Sequence, residues 1–517
     1  MDRVRRPRIV GLAFLVLLAA GCDYVERASV DTAGRDPNGV SFDPSISADG
    51  RYVVFWSPAN DLVSGDTNGV NDVFRRDLLT NTTIRVSLDT GGGNPNGESF
   101  YPSISGDGRY VAFASDATDL VTGDGSSIED IFVRDLQAAT TTRVTVDTLG
   151  GDPNAGTRHA RISDDGRHVV FASLASDLVA GDLNGFEDVF VRDLDAGTTT
   201  RASVDTGGGD ANDDSGSTGL ISPPAIDADG SRVVFFSAAS DLVPMDGNGF
   251  SDVFMRDLTA GTTTRVSVDT GGGDANGPSD AGNGKPGISG DGNVVAFSSF
   301  ASDLVIGDGN GSGSDVFVRD LQNPTTVLAS GATGGGGGAS ISDDARYVAY
   351  QTTHIWVHDL QNGTTALASA KFGQPENGIS GNASVSADGR YVVFHSNASN
   401  LANGDGNGDF DIYVRSVSMP TIESVTPDTV APGSSATLTV TGTGFLPGAR
   451  ATAKQVTPPG VTVDSVTVIS ETELEVSVSV DAGAAQGART LMVWNPGTGP
   501  GASATTFAVC VDCLTVT

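Results

Sequence analysis

The sequence predicts an all-β protein: a seven-bladed β-propeller followed by a smaller β domain. Three observations predict it. One strand pattern recurs seven times around an Asp-Gly turn. The composition is that of strands and turns. A spare strand stands at the start, where the last repeat lacks one.

The turn appears at Asp49-Gly50, Asp107-Gly108, Asp165-Gly166, Asp229-Gly230, Asp291-Gly292 and Asp388-Gly389, with a degenerate copy at Asp344-Ala345. The spacings are 58, 58, 64, 62, 53 and 44 residues, a period that marks a repeat architecture. Gly numbers 68, and 55 of the 64 acids are Asp, a poor helix former and a good turn former. Val, Thr, Ser and Phe fill the periodic segments, as strands require.

Each copy reads as four short strands. In the first copy they end at Ser47, run over Arg51–Phe55 and Asp72–Leu78, and close with Thr83–Leu88. Ala48-Asp49-Gly50 makes a tight hairpin in which Gly takes a positive φ. Four antiparallel strands repeated radially form propeller blades, and each blade needs its neighbours to bury both faces. The seventh copy, from Asn382, lacks a fourth strand, while Arg27–Thr32 stands alone before the first copy. Swapped into the last blade, it closes the ring and removes a sheet edge. The sixth copy loses the loop between strands 2 and 3, which leaves a gap on one face.

The core D-G-R-Y-V-x-F, followed by D-V-F-V-R-D-L, resembles the TolB-type, WD40-like (PD40) propeller repeat over residues 28–418. That resemblance implies the fold and leaves function open. After Met419-Pro420 the pattern stops. Thr421–Pro427, Ala431-Pro432-Gly433 and Ala436–Phe445 resemble the start of an IPT/TIG immunoglobulin-like domain, which implies a small β-sandwich used as a spacer or adhesion module. The expected organisation is a signal peptide over 1–21, the propeller over 22–418, the immunoglobulin-like domain over 419–509 and a CxxC tail over 510–517.

The N-terminal segment carries Arg3, Arg5, Arg6 and Arg8 and then an apolar run from Ile9 to Ala20, too short to span a bilayer comfortably. Leu18-Ala19-Ala20-Gly21-Cys22 resembles a bacterial lipobox, which implies cleavage before Cys22 and a lipid on that residue. The expected location is therefore the cell envelope, on the periplasmic side or the cell surface, with membrane contact through the anchor only. The remaining cysteines, Cys510 and Cys513, are expected to form a disulfide in that oxidising compartment, since a zinc site needs four ligands. A net charge of -34 excludes nucleic acid as a partner. A monomer is expected.

The loop between strands 2 and 3 carries the candidate chemistry. Asp66, Asn68 and Asp72 recur as Asp182, Asn184, Asp188, as Asp246, Asn248, Asp252 and as Asp405, Asn407, Asp411. Asp308, Asn310 and Asp315 repeat it with one extra residue, and Asp124 with Asp130 repeats it without the Asn. Alternating carboxylate and amide oxygens before a Gly turn, closed by a distal carboxylate, can wrap calcium, the one cofactor expected. The pattern resembles the calcium loop of FG-GAP propellers without its first Asp. Asp61, Asp119, Asp177, Asp241 and Asp303 are placed to substitute for it. The other reading of the same residues is a loop whose Asp and Asn bond their own backbone.

Arg76, Arg134, Arg192, Arg256, Arg319 and Arg415 recur on strand 3 and are expected to pair with acids. No His is given a catalytic role; His168 takes the place of a strand Tyr. Neither a G-x-S-x-G element nor sialidase-type boxes are present. The loops between strands 2 and 3 and those between blades are long and open on one face, where binding sites belong.

The expected function is a non-enzymatic, membrane-anchored scaffold that binds a protein or polysaccharide through that acidic face, with calcium ordering the loops. The alternative is an extracytoplasmic carbohydrate-active hydrolase or lyase using the channel, which calls for two carboxylates about 5 to 10 Å apart beside aromatic residues.

Overall fold

A computed structural model of the protein describes residues 25–216, 223–279, 284–311, 313–331, 335–361, 363–371, 374–416, 421–443, 445, 450–454, 460–470, 472–494 and 507–517. The signal segment, Cys22 and the expected boundary at 418/419 lie outside them. Every regular element among the described residues is a strand.

Residues 25–416 build seven antiparallel sheets of four or five strands and a two-stranded ribbon, Ala370–Lys371 with Gln374–Pro375. In the first blade the strands are Phe42–Ile46, Tyr52–Ser57, Asp72–Asp77 and Thr82–Arg85, paired in sequence order. The innermost strands of successive blades touch one another, and that of the first blade touches Ser380–Val385 of the last. The hairpin turns also bond from blade to blade. Ala48 N donates to Gly106 O at 3.0 Å, Gly106 N to Asp164 O at 3.0 Å, Ala228 N to Gly290 O at 3.2 Å and Asp343 N to Ala387 O at 2.9 Å.

The ring closes with the N-terminal strand. Val25–Arg27 pairs with Asp411–Ser416 in the register Val25↔Arg415 and Arg27↔Tyr413, and Ala28 N continues to Ile412 O at 2.7 Å. The strand begins two residues before the expected start and stops early. Asp31 instead caps a turn, accepting from Ala33 N at 2.7 Å and Arg35 N at 2.8 Å.

The Asp-Gly turn has a packing reason as well as a conformational one. Gly108 has φ +73°, and a Cβ there would lie 2.2 Å from the Tyr52 ring of the preceding blade. Gly50 meets Tyr391 of the seventh blade in the same way, so this contact also crosses the closure. The Tyr of D-G-R-Y thus packs on the Gly of the next blade, and His168 does so on Gly230. Between the sheets, Val54, Val73 and Val86 of the first blade bury against Ile104, Val111 and Phe113 of the second. Fully burying each such side chain contributes roughly 1.5–3 kcal/mol.

Residues 421–517 form two four-stranded sheets around one core that includes Leu438, Val440, Leu474, Val476, Leu491, Val493 and Leu514. The expectation of a separate tail at 510–517 is corrected here. Phe507–Val516 is one strand, paired with Gly487–Trp494 and, in parallel, with Thr429–Val430, because Leu514 and Val516 supply core side chains. Cys510 and Cys513 face each other across a register break in that strand, with Cα atoms 5.6 Å apart, inside the range a disulfide spans.

Candidate functional site

Four of the five loops expected to hold calcium close instead around an arginine from the fourth strand. In the first blade Arg85 Nη1 lies 3.3 Å from Asp66 Oδ1 and 3.4 Å from Asp72 Oδ2. Ser87 Oγ donates to Asp72 Oδ1 at 2.6 Å, and Asn68 Nδ2 to Asp72 Oδ2 at 3.1 Å. Arg201 stands 3.4 Å from Asp182 and 3.3 Å from Asp188, with Asp210 at 2.6 Å. Arg265 stands 3.2 Å from Asp246 and 3.8 Å from Asp252, with Asp274 at 2.6 Å. In the seventh blade Arg27 of the closing strand meets Asp36, Asp405 and Asp411. In the second blade, whose loop lacks the Asn, Arg143 meets Asp124, Asp130 and Asp152.

A guanidinium thus lies among the groups that the calcium expectation assigned to an ion, Asp66, Asn68, Asp72, Asp182, Asn184, Asp188, Asp246, Asn248, Asp252, Asp405, Asn407 and Asp411, and pairs with their carboxylates. The carboxylates are deeply placed: burial pushes Asp130, Asp246 and Asp411 up to about 6 each, against the pull of their arginines. The fifth-blade loop of Asp308, Asn310 and Asp315 differs, because Leu328 takes the arginine's place in the register.

The other acids and bases of the loop face also have structural work. Asp61 Oδ1 accepts from Asn38 N at 3.1 Å and Asp119 Oδ1 from Asn96 N at 3.1 Å, so these residues latch neighbouring loops. Four of the six strand-3 arginines bond threonine hydroxyls rather than the expected acids, while Arg76 and Arg415 donate to the carbonyls of Asn81 and Ala370 at 2.8 and 2.7 Å. Arg134, Arg192, Arg256 and Arg319 donate to Thr141, Thr199, Thr263 and Thr326 at 3.0 to 3.1 Å.

A second constellation, absent from the sequence reading, lines the mouth of the channel. The first strand of several blades carries a bulge, with register breaks at Phe42/Ser45, Phe100/Ser103, Arg158/Arg161 and Gly381/Ser384. The bulged residues Asp43, Tyr101, His159 and Asn382 have φ of 49°, 51°, 59° and 50°, a costly conformation for non-glycine residues that clusters at functional sites. Bulges re-aim side chains. Here Asp43, Tyr101, His159 and Asn382 line one cavity together with Arg161 and Lys285. Arg161 and Lys285 also line a second cavity, with Ile162, Ile226, Ile288 and Ile341, so they stand between the two.

The groups are held in place. Trp56 Nε1 donates to Asp43 Oδ2 at 2.7 Å, and Asn382 Nδ2 donates to Asp43 Oδ1. The Tyr101 and His159 rings lie 4.0 Å apart between centroids. Burial, reinforced by Arg161 and opposed by Asp43, pulls Lys285 down to about 7. Behind Asp43, burial pulls His395 down to about 4, between the rings of Phe42 and Phe410 at 5.1 and 5.4 Å. The cavity holds two cations and one carboxylate in a chain of net charge -34.

The sequence signal for this site was available. The same repeat position reads Asp43, Tyr101, His159, Pro223, Lys285, Gly338 and Asn382, seven residue types six residues before a turn Asp that all seven copies keep.

Residues 419–499 match the family described as quinohemoprotein amine dehydrogenase, alpha subunit domain III, over nearly the span expected to be an IPT/TIG domain. No curated protein matches the chain. Among solved structures it is similar to TolB from Acinetobacter baumannii, at 15% identity over 72% of this chain and 65% of that one, with a TM-score of 0.35. It is also similar to hydrazine synthase from Kuenenia stuttgartiensis, at 13% identity over 73% of this chain and 96% of that one, with a TM-score of 0.38. The chain thus spans 65% of the length of the Acinetobacter protein. At such distance neither protein's role passes to this one. Among the described residues no helix is long and apolar enough to cross a membrane.

Proposed function

We propose that this chain is a non-enzymatic binding scaffold of the bacterial cell envelope, held by a lipid on Cys22, whose channel mouth takes an anionic group of a protein or polysaccharide partner. One observation carries the reading. Lys285 and Arg161 stand together at the mouth, opposite the single carboxylate of Asp43, in a protein that is otherwise strongly acidic. A pair of partly desolvated cations favours a carboxylate or similar oxyanion, and Arg161 can grip it with two parallel donors. Tyr101 and His159 add a ring surface beside it. The bulges hold these groups on a rigid sheet framework, so little ordering accompanies binding.

A carbohydrate hydrolase working through a carboxylate pair is less well supported. The residues lining the mouth include one carboxylate, Asp43. Asp164 and Asp343 lie at the turn end and bond each other.

The test is a titration of the exported chain with an oligogalacturonate, followed by the fluorescence of Trp56, with a neutral oligosaccharide of equal length as control. Saturable binding of the acidic oligomer is expected, weakened about 10-fold or more in Lys285→Ala and Arg161→Ala, as losing a charged hydrogen bond of about 1.4 kcal/mol or more requires. Equal affinity in both variants would overturn the channel-mouth reading.

A further inference from the structure

We propose that the fifth blade binds a single calcium ion, held by Asp308, Asn310 and Asp315 where the first, second, third, fourth and seventh blades place an arginine. The inference is independent of the channel mouth.

The argument rests on register. In the first, third and fourth blades Phe74, Phe190 and Phe254 pair with Arg85, Arg201 and Arg265. In the fifth, Phe317 pairs with Leu328, which packs on the apolar cluster around Phe297 and Phe317. The carboxylate side of the cage is unchanged. Asp315 pairs with Ser299 across the sheet as Asp72 pairs with Ser57. It is fully buried, and its Oδ1 accepts from Ser330 Oγ at 2.7 Å as Asp72 Oδ1 accepts from Ser87. Its Oδ2 is therefore aimed as Oδ2 of Asp72 and Asp188 are, each with a guanidinium nitrogen within 3.4 Å.

In the fifth blade that oxygen has no hydrogen-bond partner among the described residues, and neither have the buried Asp308 Oδ2 and Asn310 Oδ1. The Asn310 amide steadies the Asp315 charge from nearby without reaching hydrogen-bond geometry to Oδ2. Burial, with Asp308 adding to it, pushes Asp315 up. The third acid of the other cages is missing as well: the sequence from Leu328 to Ser340 has no Asp, Glu, Asn or Gln. Asn68 Oδ1 is also without a hydrogen bond in the first blade, so the difference lies in the carboxylates: Asp66 and Asp72 have an arginine, while Asp308 and Asp315 hold buried oxygens with no cation partner among the described residues. Hard oxygen donors on a Gly-rich loop, with Asp308 partly open to water, suit the large and flexible shell of calcium better than the strict octahedron of magnesium.

The test is isothermal titration of the EDTA-dialysed exported chain with calcium, with magnesium as control, alongside thermal unfolding. One equivalent is expected to bind at roughly 10⁻⁴ to 10⁻³ M, as in other extracellular modules. Asp315→Asn should lose it. Leu328→Arg restores the repeat's own residue; it should abolish calcium binding and make the melting temperature independent of calcium. Terbium luminescence on the native chain, competed with calcium, gives the stoichiometry without any variant. Several equivalents, no binding up to about 10 mM, or full binding retained in Leu328→Arg would each overturn the proposal.

Discussion

Arg27 Nη1 lies 3.3 Å from Asp411 Oδ2, although 384 residues separate them in the chain. Ser29 Oγ donates to the other oxygen of the same carboxylate at 2.7 Å. The two ends of the propeller are thus pinned by a buried ion pair as well as by strand pairing. Its equivalents in other blades join residues only 13 apart, such as Arg85 and Asp72.

Arg27→Ala should therefore destabilise the propeller by about 3 kcal/mol, since it leaves buried carboxylates without their cation. Asp411→Asn should cost less. The double variant should recover part of the loss, because neither buried charge is then stranded. Denaturant unfolding of the four chains checks this; additive losses would show that the pair is not coupled.

Gly108→Ala should be severely destabilising for two separable reasons. Its φ of +73° strains any residue with a Cβ, and that Cβ would lie 2.2 Å from the Tyr52 ring. Adding Tyr52→Ala should relieve the clash and leave the backbone cost of about 1 kcal/mol plus a cavity. Thermal unfolding of the single and double variants separates the two. If Gly108→Ala alone melts with the native chain, the packing account of the Asp-Gly turn fails.

Much of the ring was legible in the sequence because the repeat displays it: Asp-Gly turns at regular spacing, and a spare Arg27–Thr32 strand for an incomplete seventh blade. The arginine cages were not. Arg85 lies 13 residues beyond Asp72, and only the pairing Phe74↔Arg85 brings it over the loop acids. An acid-amide-Gly loop read without its neighbouring strand looks like a cation site, and so it is, with the cation supplied by the chain. The channel mouth was hidden for the opposite reason. Asp43, Tyr101, His159, Lys285 and Asn382 form no motif, since each differs from the others at one shared position.

Asp164 and Asp343 make the propeller lose stability as pH rises from about 4 to about 8. They share a repeat position with Ala48, Gly106, Ala228, Gly290 and Ala387, where small neighbours leave room for two carboxyls. Burial, then the bond with Asp343, pushes Asp164 up to about 8 from an ordinary 3.8. The folded state therefore holds a proton that the unfolded chain releases. The stabilisation is fully present below about pH 4 and is lost as pH rises through about 8. Asp343→Asn removes the like charge, so its melting temperature should fall less than the native one between pH 6 and 9. The two should converge in acid. Parallel curves in calorimetry would dismiss the pair as a titrating unit.

Lys285 sets the pH window for the proposed anion site. Its ammonium, pulled down to about 7, is charged below that value and neutral above it. If the charged form alone holds the oxyanion, affinity should be near its maximum at pH 6 and about 10-fold weaker at pH 8. Lys285→Arg keeps the charge at every pH and should flatten the profile. Lys285→Met should flatten it at the weak end. The unfolded lysine titrates near 10.5, so the charged form is disfavoured in the native state and the site destabilises the fold as pH drops through 7. An anionic ligand should reverse that trend by favouring the ammonium. Melting temperatures at pH 6 and 8, with and without oligogalacturonate, test both statements at once: the ligand's increment should be larger at pH 6 in the native chain and equal at the two pH values in Lys285→Met.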